Sequence, residues 1–113
     1  MVKYRRRIEI IADILSSAAS GATKKTRIMY NANLSYTLLE KYLAEVISLG
    51  LLRLSDNGYE VTERGFIFLE KYERFSNRFS RIQKEMQTVI SERKDLEDMC
   101  SLKANPNFKA KKR

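Results

Sequence analysis

With 113 residues, 43 % of them apolar, the chain is long enough for one compact domain plus an extension and too short for two full domains. Its 22 Lys and Arg against 14 Asp and Glu give a net charge of +8, which calls for a polyanionic partner: nucleic acid, an acidic protein or an anionic membrane. The lack of histidine and the single cysteine, Cys100, leave no Cys/His metal cluster, no histidine base and no internal disulfide, and fit a reducing cytosol.

The first periodic segment runs from about Arg5 to Ala19. Ile8, Ile11, Ala12, Ile14 and Leu15 recur at helical spacing, with Glu9 and Asp13 on the other face. Those two acids also break the apolar run, so it reads as neither a signal segment nor a membrane span. Ser20-Gly21 offers a glycine cap. Thr23 is a candidate cap for a short second helix from Lys24 to about Asn31, with Ile28 and Met29 toward the core. Asn31-Ala32-Asn33 reads as a turn. Ser35 is the N-cap of a third helix whose apolar stripe is Leu38, Leu39, Tyr42, Leu43, Val46 and Ile47, and Gly50 closes it.

The period then changes. Leu51 to Leu54 and Tyr59 to Val61 are short strands around Ser55-Asp56-Asn57-Gly58, where Asn-Gly supplies two residues tolerant of positive φ, so a β-hairpin is expected. Thr62 caps a long final helix that contains no glycine after Gly65 and ends near Leu102. The order predicts a mainly α (α+β) winged helix-turn-helix over residues 1–65, a coiled-coil helix over 66–102 and a basic, disordered tail over 103–113.

The middle of the chain carries more specific runs. Lys25-Thr26-Arg27-Ile28-Met29-Tyr30, Ala32-Asn33-Leu34-Ser35-Tyr36 and Tyr42-Leu43, continued by Gly50-Leu51, Tyr59, Thr62, Gly65 and Phe68-Leu69, resemble the archaeal winged-helix proteins of the small basic "ten-kilodalton" chromatin-associated type. The resemblance covers about residues 4 to 75. It implies a winged-helix head, a C-terminal antiparallel coiled-coil dimer and binding to double-stranded DNA. The tail after Leu102 has no counterpart in it.

The coiled coil is also argued from residues. Phe68, Tyr72, Phe75, Phe79, Ile82, Met86, Val89, Leu96 and Cys100 recur in steps of three and four, with Arg93 at one interrupted position. A helix of about 38 residues spans roughly 57 Å, which overshoots a small domain and disfavours folding back on its own head. Dimerisation through Phe75, Phe79, Ile82, Met86, Val89 and Leu96 is the economical way to cover the stripe. Residues 63–84 hold six bases and three acids, whereas residues 85–102 hold two bases and five acids. Antiparallel pairing therefore opposes unlike charges, although each surface pair contributes only about 0–1 kcal/mol. Cys100 reads first as a small buried seam residue and only second as a redox group.

The third helix is the expected major-groove element, entered by its N-terminus, with Ser35, Tyr36, Thr37 and Lys41 on or near its polar side. Ser35 serves equally as a plain cap, whereas Tyr36 reads first as a core residue and only second as a contact. Leu38, Tyr42 and Leu43 are assigned to the core. Lys24, Lys25 and Arg27 suit phosphate contacts, and Arg5, Arg6 and Arg7 with Lys3 a phosphate or minor-groove grip, against the alternative of solvated charge. Arg53, Asn57 and Tyr59 lie on the wing, where a minor-groove or backbone contact is available. Lys109, Lys111, Lys112 and Arg113 either add non-specific, salt-sensitive affinity or merely solubilise.

The expected function is a nucleoid-associated, cytoplasmic double-stranded DNA-binding homodimer, architectural rather than sequence-specific, with no cofactor, small-molecule ligand or membrane partner. A transcription regulator and a winged-helix protein-interaction module are the alternatives. Without a glycine-rich phosphate loop, metal-ligand cluster or histidine, an enzyme is remote.

Overall fold

The computed structural model describes residues 5–101. Six elements follow in chain order: α1 (Arg7–Ser17), α2 (Lys25–Asn31), α3 (Tyr36–Ser48), β1 (Leu52–Ser55), β2 (Gly58–Val61) and α4 (Glu63–Ser101). The described residues divide into two compact units, 5–75 and 76–101. The first is a winged helix and α4 is a long helix that follows it, as the residue pattern indicates.

The core of the first unit is filled by one face of each element. Ile14, Leu15, Ile28, Leu39, Val46 and Leu52 are its largest fully buried side chains, each contributing about 1.5–3 kcal/mol by burial. Met29, Tyr42, Tyr59, Val61, Phe68 and Leu69 pack against them from the rim. The stripes are narrower than the residue pattern suggested. Ile8, Leu38 and Ile47 are exposed, because the helices bury about one-third of their circumference and these residues stand at its edges.

Caps fix the helix ends. The Arg6 backbone N–H donates to Glu9 Oε1 at 2.9 Å, so Glu9 acts in the first turn of α1. This helix is shorter than expected: it ends at Ser17 on Ala18, one turn before Gly21, which belongs to the connection instead of the cap. Helices α2 and α3 end alike. Leu34 N donates to Met29 O at 3.1 Å and Asn33 N to Tyr30 O at 3.2 Å, and Asn33 takes φ 53°. Leu51 N donates to Val46 O and Gly50 N to Ile47 O, both at 3.0 Å, and Gly50 takes φ 75°. Both are Schellman motifs, and each delivers a buried leucine straight after the turn. At the other ends, Ser35 Oγ accepts from Leu38 N at 3.2 Å and Thr62 Oγ1 accepts from Gly65 N at 3.0 Å.

Thr23 does not cap α2, whose N-cap is Lys24. It is buried and exchanges two backbone hydrogen bonds with Tyr59, Thr23 N to Tyr59 O at 2.9 Å and Tyr59 N to Thr23 O at 2.8 Å. The two-stranded wing (Leu52↔Val61, Arg53↔Glu60, Leu54↔Tyr59, Ser55↔Gly58) thus gains a one-residue third partner. The wing turn also differs from expectation. Asp56 and Asn57 keep negative φ and only Gly58 is positive, at 135°. Ser55 accounts for this: its Oγ accepts from Asn57 N at 3.3 Å and donates to Gly58 O at 2.9 Å, closing the turn from the side chain.

At Gly65 a methyl group would lie 2.2 Å from Leu51 O and 2.6 Å from Val61 Cγ1. Helix propensity favours alanine here by about 1 kcal/mol, but a clash with a backbone oxygen outweighs it. Gly65→Ala is expected to destabilise by about 1–3 kcal/mol and lower Tm by several degrees, whereas Ser76→Ala stays within about 0.5 kcal/mol; thermal unfolding checks both.

Candidate nucleic-acid interface

The outward face of α3 follows from its inward one. With Leu39, Leu43 and Val46 buried, the opposite stripe at 3.6-residue spacing is Thr37, Lys41, Ala44 and Ser48, all exposed. Tyr36, Leu38, Glu40, Glu45 and Ile47 flank it. Tyr36 is 59 % exposed and therefore a surface residue. Leu38, expected in the core, is 41 % exposed, and Tyr42 is half-buried against the core. Ser35 caps α3 and stands exposed at its entry.

Bases from the neighbouring helices reach both edges of this face, where α3's own carboxylates meet them. From α2, Lys25 Nζ bonds Glu40 Oε1 and lies 5.5 Å from the centre of the Tyr36 ring. From α1, Arg7 pairs with Glu45. Lys41 Nζ stands 5.7 Å from the Tyr42 ring centre. The hydrogen bond to Glu40, ahead of the opposing effect of desolvation, raises the Lys25 pKa above its ordinary 10.5, and the Glu40, Tyr36 and Tyr59 charges add to it. Lys25 is half-buried, and solvent still reaches the pair. Its small stabilising contribution is present throughout the neutral range and is lost only as pH rises through the raised value.

The remaining candidates divide by their partners. Arg5 does not join the α3 face. Its guanidinium donates to Asp13 Oδ2 at 2.6 Å, Ala32 O at 2.7 Å and Asn33 O at 2.9 Å, fastening α1 to the turn after α2. Arg53 is paired with Glu60 across the wing at 2.9 Å. Arg6, Lys24 and Arg27 form no ion pair among the described residues, and all three are exposed together with Asn57 at the wing turn. Lys3, Lys109, Lys111, Lys112 and Arg113 lie outside the described residues.

Two exposed residues were not among the candidates. Tyr30 on α2 is 85 % exposed, and Leu54 on the wing 63 %. Tyr30 was readable: two positions past the inward Ile28 it stands about 200° round the helix. Leu54 was not, because its register with Tyr59 puts it on the inward side of the ribbon, beyond the reach of the core.

On α4, Phe68 and Tyr72 stack with ring centres 6.2 Å apart, and Phe75 continues at the same spacing. Farther along, Phe79, Ile82, Met86, Val89 and Leu96 are 49–64 % exposed, and Phe75 is 49 % exposed. Cys100 is exposed too. Among the described residues no helix is long and apolar enough to cross a membrane, and no cluster of acids and cysteine is arranged to hold a metal ion.

A family model for the winged helix-turn-helix matches residues 4–80. The chain belongs to the winged helix-turn-helix family. Two archaeal relatives from Methanocaldococcus jannaschii share this region: the uncharacterized protein MJ0290 at 36 % identity over 69 residues, and the uncharacterized protein MJ0287 at 39 % over 64. These matches take in 61 % and 56 % of the chain, and only 33 % and 66 % of the two relatives' own lengths. The crystal structure of Sso10a-2, a DNA-binding protein from Sulfolobus solfataricus, superposes with a TM-score of 0.57 at 25 % identity, over 89 % of this chain and 100 % of that one. The likeness of this winged helix-turn-helix chain to Sso10a-2 therefore extends beyond the head into the long helix.

The two classes of base in this winged helix-turn-helix head are separable by stability. Arg5→Ala removes three hydrogen bonds and strands Asp13, and is expected to cost about 1–2 kcal/mol. Lys24→Ala and Arg27→Ala should each stay within about 0.5 kcal/mol. Urea denaturation of the three variants checks this.

Proposed function

We propose that the chain is a double-stranded DNA-binding protein that acts as a homodimer, in the manner of the small basic archaeal chromatin proteins, with low sequence specificity and no catalytic role. The observation that carries the reading is the exposed outer face of α3, edged by bases from α1 and α2, in a winged-helix head. This is the element that enters a major groove in helix-turn-helix proteins. The similarity to a DNA-binding protein over most of the chain supports it.

Low specificity follows from what α3 offers. The stripe Thr37, Lys41, Ala44 and Ser48 has no Arg, Asn or Gln for a bidentate base contact, and leaves base readout to Lys41 and the short hydroxyls of Thr37 and Ser48. Ser35, Tyr36, Thr37 and Lys41 would touch the groove and its walls. Lys24 and Arg27, with Arg6, would take phosphates, and so would Lys25 and Arg7 once phosphate displaces Glu40 and Glu45. Arg53 and Asn57 would reach the backbone from the wing, while Arg5 serves the fold. Nucleoid association follows from such binding. A regulator with a preferred site would need more base readout than this face supplies.

Dimerisation rests on α4. Among the described residues 76–101 the ion pair Lys94–Asp98 at 3.5 Å is an i,i+4 pair worth about 0.3–0.5 kcal/mol, too little to hold this segment helical in isolation. A second copy packed on Phe79, Ile82, Met86, Val89 and Leu96, and reaching Phe75, supplies the missing burial. The basic first half and acidic second half of α4 favour the antiparallel arrangement.

Three measurements test the reading. Fluorescence anisotropy with a random-sequence duplex is expected to give micromolar or tighter binding at low salt, weakening steeply on a log–log salt plot. Lys24→Gln with Arg27→Gln should weaken binding on every duplex alike and reduce the salt slope by about two. No binding at low salt would reject the reading and favour a protein-docking winged helix. By sedimentation the chain should be a dimer that Met86→Asp dissociates. Mild oxidation separates the orientations through Cys100: a parallel dimer sets the two thiols side by side and cross-links, and the antiparallel dimer keeps them at opposite ends and does not.

A further inference from the structure

An open cleft of about 860 Å³ lies between the end of α1 and the start of α2, away from the outer face of α3. Ser16, Ser20, Lys24, Thr26, Arg27 and Asn31 line it, all exposed. The hydroxyls of Ser16, Ser20 and Thr26 make no hydrogen bond among the described residues, and Lys24 and Arg27 make no ion pair. By contrast, the two other hydroxyls on the wall are occupied: Ser17 Oγ donates to Asp13 O at 2.8 Å and Thr23 Oγ1 to Gly21 O at 2.8 Å. The one acid on the wall, Asp13, has its charge met by Arg5 at 2.6 Å. The cleft therefore presents two unspent cations, three unspent hydroxyls and a carboxamide.

We infer that this cleft binds a phosphate group. A phosphate offers acceptor oxygens to match these donors, and the guanidinium of Arg27 can engage two of them at once. No aromatic or large aliphatic side chain lines the space, so a flat base or an apolar ligand finds nothing to stack on. The volume exceeds a lone phosphate and leaves room for an attached sugar. With seven residues, α2 is too short for its dipole to matter; the side chains carry the site. The phosphate has two possible sources, a DNA backbone lying across the head or a free phosphorylated compound. The site shares Lys24 and Arg27 with the DNA-binding reading but does not depend on it.

The test is amide NMR of the full chain, following Ser16, Ser20, Thr26 and Arg27 during titration with inorganic pyrophosphate and, separately, with a short duplex, each against sodium chloride at matched ionic strength. Pyrophosphate is expected to shift these amides saturably, and Arg27→Gln to weaken that binding about tenfold, while thermal melting confirms that the variant is folded. If the duplex shifts the same amides, the phosphate is that of the backbone; if only pyrophosphate does, it is that of a free compound. The inference is overturned if neither probe shifts them, if sodium chloride alone reproduces the shifts, or if Arg27→Gln leaves the pyrophosphate affinity unchanged. A duplex that moves α3 amides while both probes leave the cleft unmoved would sink this inference and keep the DNA-binding reading. A saturable pyrophosphate site with no duplex binding anywhere would do the reverse.

Discussion

Everything in the first unit is referenced to the stretch of backbone where α3 gives way to the wing and the wing to α4. Leu51 stands at its centre. Its N–H closes the turn that ends α3, and its carbonyl accepts from Thr62 N at 3.1 Å. Thr62 in turn donates its hydroxyl to Gly50 O at 2.6 Å, while Arg64 Nε donates to Leu49 O at 3.1 Å. Gly65 lets α4 come within contact of Leu51 O, where any side chain would collide with backbone. A second close approach, of Gly58 to the backbone of Thr23, seats the wing on the α1–α2 connection in the same way. Because backbone meets backbone at both places, the angle at which the wing and the first turns of α4 leave the core is set by groups that cannot change rotamer.

Charge is arranged with similar economy. A net charge of +8 suggests a uniformly basic surface, yet on the α3 side much of it is compensated locally. Glu40 and Glu45 sit on the two edges of α3 and hold Lys25 and Arg7. These pairs tie α1 and α2 to α3, and exposed pairs of this kind contribute little to stability. Their larger consequence is electrostatic: a polyanion approaching α3 must exchange phosphate for carboxylate at each edge. Among the bases of the described head that form no ion pair, Lys24 and Arg27 lie along the α1–α2 cleft and Lys41 stands on the outer face of α3 itself.

In the second unit the helix is regular, yet every one of residues 77–101 is exposed. An apolar stripe of that length is what the proposed dimer would cover. A dimer also places two heads on one assembly, which suits a protein proposed to hold DNA without reading much of it.

Much of this was legible in the amino-acid sequence, for a physical reason: helix periodicity, caps and turns are local. The order of elements, the caps at Ser35 and Thr62, the turns at Asn33 and Gly50 and the three-four repeat of α4 all depend on neighbours within about one turn of chain. What the sequence could not reveal depended on partners far away in it. Thr23 looks like a cap until Tyr59, 36 residues later, takes its backbone as a strand partner. Arg5 looks like a DNA-gripping arm until Ala32 and Asn33 present their carbonyls to it. Leu38 and Tyr36 look like core until the packing of α1 and α2 decides how much of α3 is covered. Periodicity states which residues share a face, and tertiary packing alone states how wide that face is and which charges already have partners.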